Sequence, residues 1–289
     1  MTHSLDNRTS PYRDDLAAKH LSDVVTAPRY TTGTTQQVLS PLAPLYAMPD
    51  DNTPTTSTLL YGEKFIVYDQ QDGWAWGQCE HDDYVGYLRE EHLRTDTSPA
   101  SHYVSALSTY LFSSPDVKSP PYHPIYFMSP VCIDTDTTQP TENGFIAVKG
   151  GGWVYAEHIS RDYGTDHTAE ALKFLYTPYL WGGRSHAGLD CSALVQISLA
   201  ATGRAAPRDS DMQEAILGTP LDGEDVPEKG DLAFFPGHVG IMLDDMHLLH
   251  ANATHMRVSI DPLKDVIGWI ERESGHGLNC IRRLAPAGF

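Results

Sequence analysis

One stretch of the sequence decides the fold of the C-terminal part of the chain, and it reads GLDCSALVQISLA at residues 188–200. Its apolar residues predict a buried helix that Asp190 caps at its start and that Gly203 stops. Cys191 then lies in the first turn, where unpaired N–H groups and the helix dipole favour an anion, so we expect its thiol to ionise easily. Cysteine is also among the most buried residue types, so a small core side chain is the alternative.

Downstream of this helix, three apolar runs read as strands, at residues 231–235, 238–243 and 247–251. The turn signals Pro236-Gly237 and Asp244-Asp245 separate them. A helix followed by an antiparallel meander predicts an α+β domain.

Two histidines of this meander are candidates to act on Cys191. His238 opens the second strand, where its imidazole could take the thiol proton. His250 lies towards the end of the third strand, and antiparallel pairing would bring it near His238 to orient that ring. Two alternatives stay open: histidines that serve only the core or a turn, and a zinc site made by Cys191, His238 and His250, for which the usual close ligand pairing is missing.

The N-terminal part of the chain has a different sequence pattern. The 289 residues, 40% of them hydrophobic, suffice for two or three domains. Residues 14–21 read as a short helix in an N-terminal arm. Short alternating runs between Gly and Asp turns predict a small β-barrel from residue 37 to about 94. Residues 86–93, GYLREEHL, are echoed by residues 152–159, GWVYAEHI, which suggests a second barrel.

Charge and composition narrow the range of partners. The formal net charge is -18, with 20 Lys+Arg against 38 Asp+Glu, so nucleic acid and anionic membrane surfaces are repelled. No apolar run is long enough to span a bilayer, and the polar start from Met1 to Pro11 lacks an apolar signal segment, so we expect a cytoplasmic protein. Four scattered cysteines indicate thiols rather than disulfides. We expect no metal and no cofactor.

Four separated motifs occur in an order that closely resembles the NlpC/p60 family of papain-like cell-wall cysteine peptidases. They are YLWGG at residues 179–183, DCS at 190–192, GDL at 230–232 leading to HVGI at 238–241, and His250. Residues 37–95 and 103–160 resemble bacterial SH3-like domains. The resemblance implies an α+β fold in which a papain-like NlpC catalytic domain (163–289) follows an N-terminal arm (1–36) and two small SH3-like β-barrels (37–98 and 99–162).

The resemblance also implies roles for individual residues. In that family the catalytic set is Cys-His-His, which makes Cys191 the nucleophile, His238 the base and His250 its partner. The tyrosine at the position of Tyr179 faces the nucleophile, and its hydroxyl and the Cys191 N–H are oxyanion donors. Simple core packing is the alternative for Tyr179.

The order of domains resembles the γ-D-glutamyl-L-diamino acid endopeptidases, of the dipeptidyl-peptidase VI type. These cleave between γ-D-Glu and the diamino acid of peptides whose N-terminal L-Ala is free. By this resemblance Asp209 binds the substrate ammonium, Ser192 and Ser210 add hydroxyl contacts, and Tyr84 and, more weakly, Glu63 line the amino end of the substrate. The alternatives are a helix cap at Asp209-Ser210 and a solvated strand-end charge at Glu63.

The sequence therefore predicts a cysteine endopeptidase of peptidoglycan recycling, acting on small L-Ala-γ-D-Glu-diamino acid peptides. One alternative is an NlpC-type hydrolase or acyltransferase that acts on intact cell-wall peptides or on another amide. The other is a non-catalytic binding protein, against which the intact Cys191, His238 and His250 argue. The choice between diaminopimelate and lysine, the oligomeric state and the role of the second SH3-like domain are left open.

Overall fold

The computed structural model of the chain describes residues 5–134 and 139–285. The chain divides into two compact units after Arg161. No helix within the described residues is long and apolar enough to cross a membrane.

The first unit begins with a small three-stranded sheet in which β1 pairs with β2 antiparallel and β2 pairs with β3 parallel. The helix predicted over residues 14–21 is wrong, because the chain forms a strand and then a single 3-10 turn, Lys19–Leu21. Apolar residues of both pack into one cluster with Tyr68 and Trp76, so burial against the neighbouring sheet overrides local helix propensity. The strands are β1 (Tyr12–Arg13), β2 (Leu16–Ala18) and β3 (Arg29–Thr31).

A seven-stranded antiparallel sheet follows, with the strand order β10-β4-β7-β8-β9-β5-β6. Strands β5 and β9 alternate buried and half-buried residues, every residue of β8 is buried, and the sheet encloses one core that includes Phe65 and Leu88. Among the described residues the outer strands β6 and β10 do not pair with each other, so the sheet of this SH3-like domain is not closed into a full barrel. The strands are β4 (Thr34–Val38), β5 (Leu42–Tyr46), β6 (Thr55–Leu60), β7 (Lys64–Gln71), β8 (Trp74–Cys79), β9 (Val85–Arg89) and β10 (Leu93–Arg94).

The second β-module contains a three-stranded sheet, β14-β11-β17, and a four-stranded sheet, β13-β12-β16-β15. All of its strand pairs are antiparallel. The strands are β11 (His102–Val104), β12 (Ser108–Phe112), β13 (Pro121–Tyr126), β14 (Pro130–Val131), β15 (Phe145–Ala147), β16 (Trp153–Tyr155) and β17 (Ile159–Ser160).

The two echoed segments adopt the same local structure, which confirms the internal repeat. In each, a strand leads into a 3-10 turn that carries a histidine, and a short closing strand follows. The ring Nδ1 of His92 lies 2.8 Å from Ser40 Oγ, and that of His158 lies 2.8 Å from Thr109 Oγ1. The same hydrogen bond between an imidazole and a hydroxyl therefore occurs in both modules.

The second unit is built on a six-stranded antiparallel sheet with the order β20-β25-β21-β22-β23-β24. The predicted helix and the three predicted strands of the meander are confirmed. Its helices are α1 (His167–Leu172), α2 (Cys191–Ala200), α3 (Ser210–Ile216) and α4 (Leu263–Ser274). Its strands are β18 (Arg184–Ser185), β19 (Gly188–Leu189), β20 (Thr219–Pro220), β21 (Leu232–Phe235), β22 (His238–Met242), β23 (His247–Asn252), β24 (Arg257–Pro262) and β25 (Cys280–Arg283).

Helices α2 and α4 enclose this sheet. Every residue of α2 from Cys191 to Leu199 is buried, and the helix contacts β22 and β23. Helix α4 packs its apolar side on a cluster that includes Met242 and Leu248. Because side chains two residues apart on a strand point the same way, His238 shares the face of Met242, and His250 shares the face of Leu248. Both histidines therefore point towards the α4 side of the sheet.

Candidate active site

The start of α2 is held by a buried ion pair. Asp190 caps the helix by accepting the Ala193 N–H at 2.9 Å, and it also accepts the Gly182 N–H at 2.9 Å. The guanidinium of Arg208 donates to both carboxylate oxygens, at 3.0 and 2.5 Å, and Arg208 is only 1% exposed. This two-point bond fixes Asp190 and with it the first turn of α2. The sequence did not indicate a role for Arg208, because nothing local marks an arginine as buried.

The thiol of Cys191 lies at the junction of α2 and β22. It is 7% exposed, and its Sγ accepts the backbone N–H groups of Val239 and Ser192. Burial, followed by the nearby charge of Asp190, raises the pKa of Cys191 to about 12. The expectation of an easily ionised thiol is therefore wrong, because loss of solvent outweighs the helix start and the two N–H bonds.

The two predicted histidines are in direct contact. His238 Nε2 lies 2.8 Å from His250 Nδ1. Strand register explains this contact, because Ile241 pairs with Leu249 and the two histidines fall at diagonal positions on one face. Burial, with a smaller contribution from His250, lowers the pKa of His238 to about 3. Burial therefore favours the neutral thiol and the neutral imidazole over an ion pair.

A carboxylate continues the chain of contacts beyond His250. Asp261 on β24 places Oδ2 at 3.1 Å from His250 Nε2, and the same oxygen accepts the Ser259 hydroxyl at 2.5 Å. Its other oxygen, Oδ1, lies 3.2 Å from His255 Nε2. Although burial raises it, these hydrogen bonds from Ser259 and His250 hold the pKa of Asp261 below its ordinary value. Sequence reasoning missed Asp261, and the polar alternation of Ser259 and Asp261 in an otherwise half-buried strand was the available signal.

Tyr179 lies close to the thiol. Burial, and next the proximity of Cys191, raises the pKa of Tyr179, so its hydroxyl keeps its proton and can donate it in a hydrogen bond. The Tyr179 backbone N–H donates to Met256 O at 2.9 Å, which anchors the loop that carries it.

A cavity of about 330 Å³ opens beside these groups, on the α4 side of the sheet. Tyr179, His238 and His250 form one wall. Helix α4 supplies further lining side chains, which are Val266, Trp269, Ile270, Glu273 and Ser274.

The predicted substrate residues of this unit lie around the ion pair. Asp209 is the N-cap residue of α3, yet its side chain makes no capping hydrogen bond to that helix, so the capping alternative is wrong for Asp209. Ser210 begins α3. The hydroxyl of Ser192 donates to Asp190 and accepts from Arg208, so it belongs to the ion-pair network, and its predicted substrate contact stays a prediction.

The predicted residues of the first unit have well-defined places in their own sheet. Tyr84 is 5% exposed and belongs to the core of the seven-stranded sheet. Glu63 is buried, and it accepts the Leu60 N–H at 2.8 Å, so the solvated-charge alternative is wrong for Glu63. Their roles towards a substrate stay predictions.

A zinc site was the alternative for Cys191, His238 and His250. Within residues 5–134 and 139–285, the side chains placed to share an ion are instead Cys79, His81 and Asp82, with ligand atoms within 4.8 Å of one another in the first unit. The two histidines of the second unit face each other at a distance typical of two nitrogens that share a proton. This geometry favours a nucleophile, a base and its partner over a zinc site.

Comparisons with known proteins match two parts of the chain to known families. Residues 176–273 match the NlpC/P60 family, and residues 45–93 match the bacterial dipeptidyl-peptidase Sh3 domain. Dipeptidyl-peptidase 6 of Lysinibacillus sphaericus is 27% identical over 79% of this chain and 91% of that protein. The gamma-D-glutamyl-L-lysine dipeptidyl-peptidase of Bacillus subtilis is 29% identical over 75% of this chain and 78% of that protein.

Solved structures support the fold. An NlpC/P60 family protein from Bacillus cereus superposes with a TM-score of 0.72 at 20% identity, over 88% of this chain and all of that one. An NlpC/P60 endopeptidase from Photobacterium damselae gives a TM-score of 0.56 at 12% identity, over 86% of this chain and 70% of that one.

The raised pKa of Cys191 predicts slow alkylation at neutral pH. Because the thiolate is the reactive form, the rate should rise about 10-fold per pH unit from about pH 6 to about pH 9 without levelling off. Peptide mass spectrometry after iodoacetamide treatment over a pH series measures this rate at each cysteine separately, and Cys191→Ala confirms the assignment. A rate that is already level below about pH 7 would mean a preformed thiolate and would contradict the prediction.

The ion pair predicts a large local effect of Arg208→Met. The substitution leaves the carboxylate of Asp190 buried without its counter-charge, which should cost about 3–5 kcal/mol. Lys229→Met is the matched control, because Lys229 pairs with Asp166 at the same 2.5 Å but on the surface, where the loss should stay below about 1 kcal/mol. Hydrogen exchange of the α2 amides measures both losses, and equal protection in the two variants would refute the role of Arg208.

Proposed function

We propose that this chain, an NlpC/P60 cysteine peptidase that carries a bacterial dipeptidyl-peptidase SH3 domain, hydrolyses the bond between γ-D-glutamate and the diamino acid of cell-wall peptides. The preferred peptides have a free N-terminal L-Ala. The observation that carries the proposal is the contact between His238 and His250 beside a cavity, with the Cys191 thiol bonded to the N–H of Val239, the residue after His238. A gamma-D-glutamyl-L-lysine dipeptidyl-peptidase is among the relatives of the chain.

The reaction begins with proton transfer coupled to attack. His238 takes the thiol proton while Cys191 Sγ forms a bond to the γ-glutamyl carbonyl carbon. Because both groups start neutral, the charges appear only as the bond forms. The N–H groups of Val239 and Ser192 already point at the sulfur and stabilise the developing thiolate without moving.

Two donors stabilise the oxyanion of the tetrahedral intermediate. They are the hydroxyl of Tyr179, which keeps its proton, and the backbone N–H of Cys191. The intermediate collapses when His238 gives its proton to the departing amine of the diamino acid. A thioester of L-Ala-γ-D-Glu remains on Cys191. Water then attacks this thioester, with His238 as the base, and restores the thiol.

The amino end of the substrate is proposed to meet Asp209. A carboxylate is the natural partner of the L-Ala ammonium. Asp209 directly follows Arg208, whose guanidinium is hydrogen-bonded to Asp190 at the start of α2. Gln213 Nε2 also donates to Ser192 O at 2.9 Å. The segment that carries Asp209 is therefore held against the helix that carries Cys191. Ser210 adds a hydroxyl contact at the same end.

Tyr84 and Glu63 of the first domain are proposed to recognise the amino end of the substrate. A site that requires the free ammonium of L-Ala excludes intact wall, where this alanine is amide-linked, and admits released peptides. Recycling of such peptides belongs to the cytoplasm. All four cysteines, which lie in the described part of the chain, are thiols, and this supports a reducing compartment.

The diamino acid is proposed to occupy the 330 Å³ cavity beside His238. The departing amine must lie near His238 to receive its proton, so the rest of this residue falls on the same side. Trp269 and Ile270 can cover its methylene groups, and Glu273 can pair with a terminal ammonium. Diaminopimelate carries an extra carboxylate that Glu273 would repel, so the cavity favours lysine.

Cleavage of L-Ala-γ-D-Glu-L-Lys is the first test. Mass spectrometry should detect L-Ala-γ-D-Glu with the wild-type protein and none with Cys191→Ala. Acetylation of the L-Ala amine should lower kcat/KM about 100-fold or more, because the half-buried carboxylate of Asp209 then loses its charged partner. Indifference to acetylation would move the substrate to intact wall peptides, and an absence of Cys191-dependent cleavage would favour a binding protein.

Glu273→Gln should shift the choice of diamino acid. With the carboxylate removed, the ratio of kcat/KM for the lysine peptide over the diaminopimelate peptide should fall about 3- to 10-fold. Glu271→Gln is the matched control on the same helix, since Glu271 does not line the cavity. Steady-state kinetics on both peptides measures the ratio, and an equal ratio in the two variants would disprove the role of Glu273.

A further inference from the structure

In the hydrogen bonds that connect His238, His250 and Asp261, the donor and the acceptor of each bond can be assigned. We propose that Asp261 is a positioning residue that fixes which nitrogen of His250, and through it which nitrogen of His238, carries the proton. The inference rests on the proposed function, in which His238 takes the thiol proton, and concerns a residue that never touches the substrate.

The direction starts at Asn252. Its Oδ1 accepts the His255 backbone N–H at 2.8 Å, which orients the amide, so that Nδ2 donates to Ser259 Oγ at 2.7 Å. The hydroxyl proton of Ser259 is then left for Asp261 Oδ2. An ionised carboxylate can only accept, so the bond between this oxygen and His250 requires a proton on His250 Nε2.

The second step passes through the ring of His250. Burial lowers the pKa of His250, so the ring is neutral and carries one proton only. With that proton on Nε2, Nδ1 has a lone pair and must accept. The 2.8 Å bond to His238 therefore takes its proton from His238 Nε2. His238 Nδ1 is left as the one ring nitrogen that can receive the proton of Cys191.

The opposite tautomers of the two rings would prevent His238 from acting as the base. If His250 carried its proton on Nδ1, His238 Nε2 would have to accept, and the single proton of neutral His238 would lie on Nδ1. That nitrogen could not take the thiol proton. Asp261 thus selects the productive tautomer of both rings, and its negative charge also stabilises the imidazolium that forms during attack.

The strand register keeps Asp261 in this place. His250 pairs with Ser259, so Asp261 lies two residues further along β24 on the same face. His255 on one oxygen and Ser259 on the other restrain the carboxylate. Two side chains, one from β24 and one from the turn before it, therefore hold the carboxylate of Asp261 against His250.

The test combines tautomer measurement with kinetics on the full chain. ¹⁵N NMR of histidine-labelled protein reports the protonated nitrogen of each ring without substrate. In the wild type, His250 and His238 should both carry their protons on Nε2. Asp261→Ala should populate the Nδ1–H form of His250 and lower kcat about 10- to 100-fold at nearly constant KM, which is part of what a general base contributes. Asp261→Asn keeps an oxygen that can accept, so it should retain the wild-type tautomers and lose less of kcat.

Asp244→Ala is the matched control. It removes an exposed carboxylate that bonds His247 in the turn between β22 and β23, and it should leave both the tautomers and kcat unchanged. Unchanged tautomers in Asp261→Ala, or equal losses of kcat in the Ala variants of Asp261 and Asp244, would overturn the inference. Failure of the proposed function would look different, because Cys191-dependent cleavage would then be missing while the tautomers still followed Asp261.

Discussion

The buried bond between Arg208 and Asp190 is the constraint on which the second unit depends. Together with the bond from the Gly182 N–H to Asp190, it joins three separate segments: the cap of α2, the turn at Gly182 and the loop that leads into α3. A buried charge is tolerated only when it is paired and hydrogen-bonded, so these segments have one acceptable arrangement. Cys191 is the residue after the cap, so this arrangement also fixes its position.

Burial also determines the protonation states of Cys191 and His238. The same exclusion of water that raises the pKa of Cys191 lowers that of His238, so the resting pair is neutral. In the proposed reaction, charge develops only against fixed groups, which are the N–H groups at the sulfur on one side and the hydrogen bonds through His250 to Asp261 on the other. Preorganised groups of this kind stabilise a transition state without any reorganisation at the moment of reaction.

Local patterns predicted much of this protein, because they depend on neighbours in the chain. The apolar run after Asp190 predicted α2, and the turn signals at Pro236 and Asp244 separated the strands of the meander correctly. The repeated segment around His92 and His158 predicted two modules with the same closing turn. Where burial against another sheet outweighed local preference, as in residues 14–21, the prediction of a helix was wrong.

The sequence alone was enough to predict the α+β plan and to propose Cys191 as the nucleophile and His238 as its base, because motif spacing and hydrophobic periodicity are properties of the chain itself. Only the tertiary structure decided that the thiol is neutral, that Arg208 is buried and that Asp261 completes the contacts of His250. The physical reason is common to all three. Desolvation and hydrogen-bond partners depend on segments that the chain brings together only when it folds.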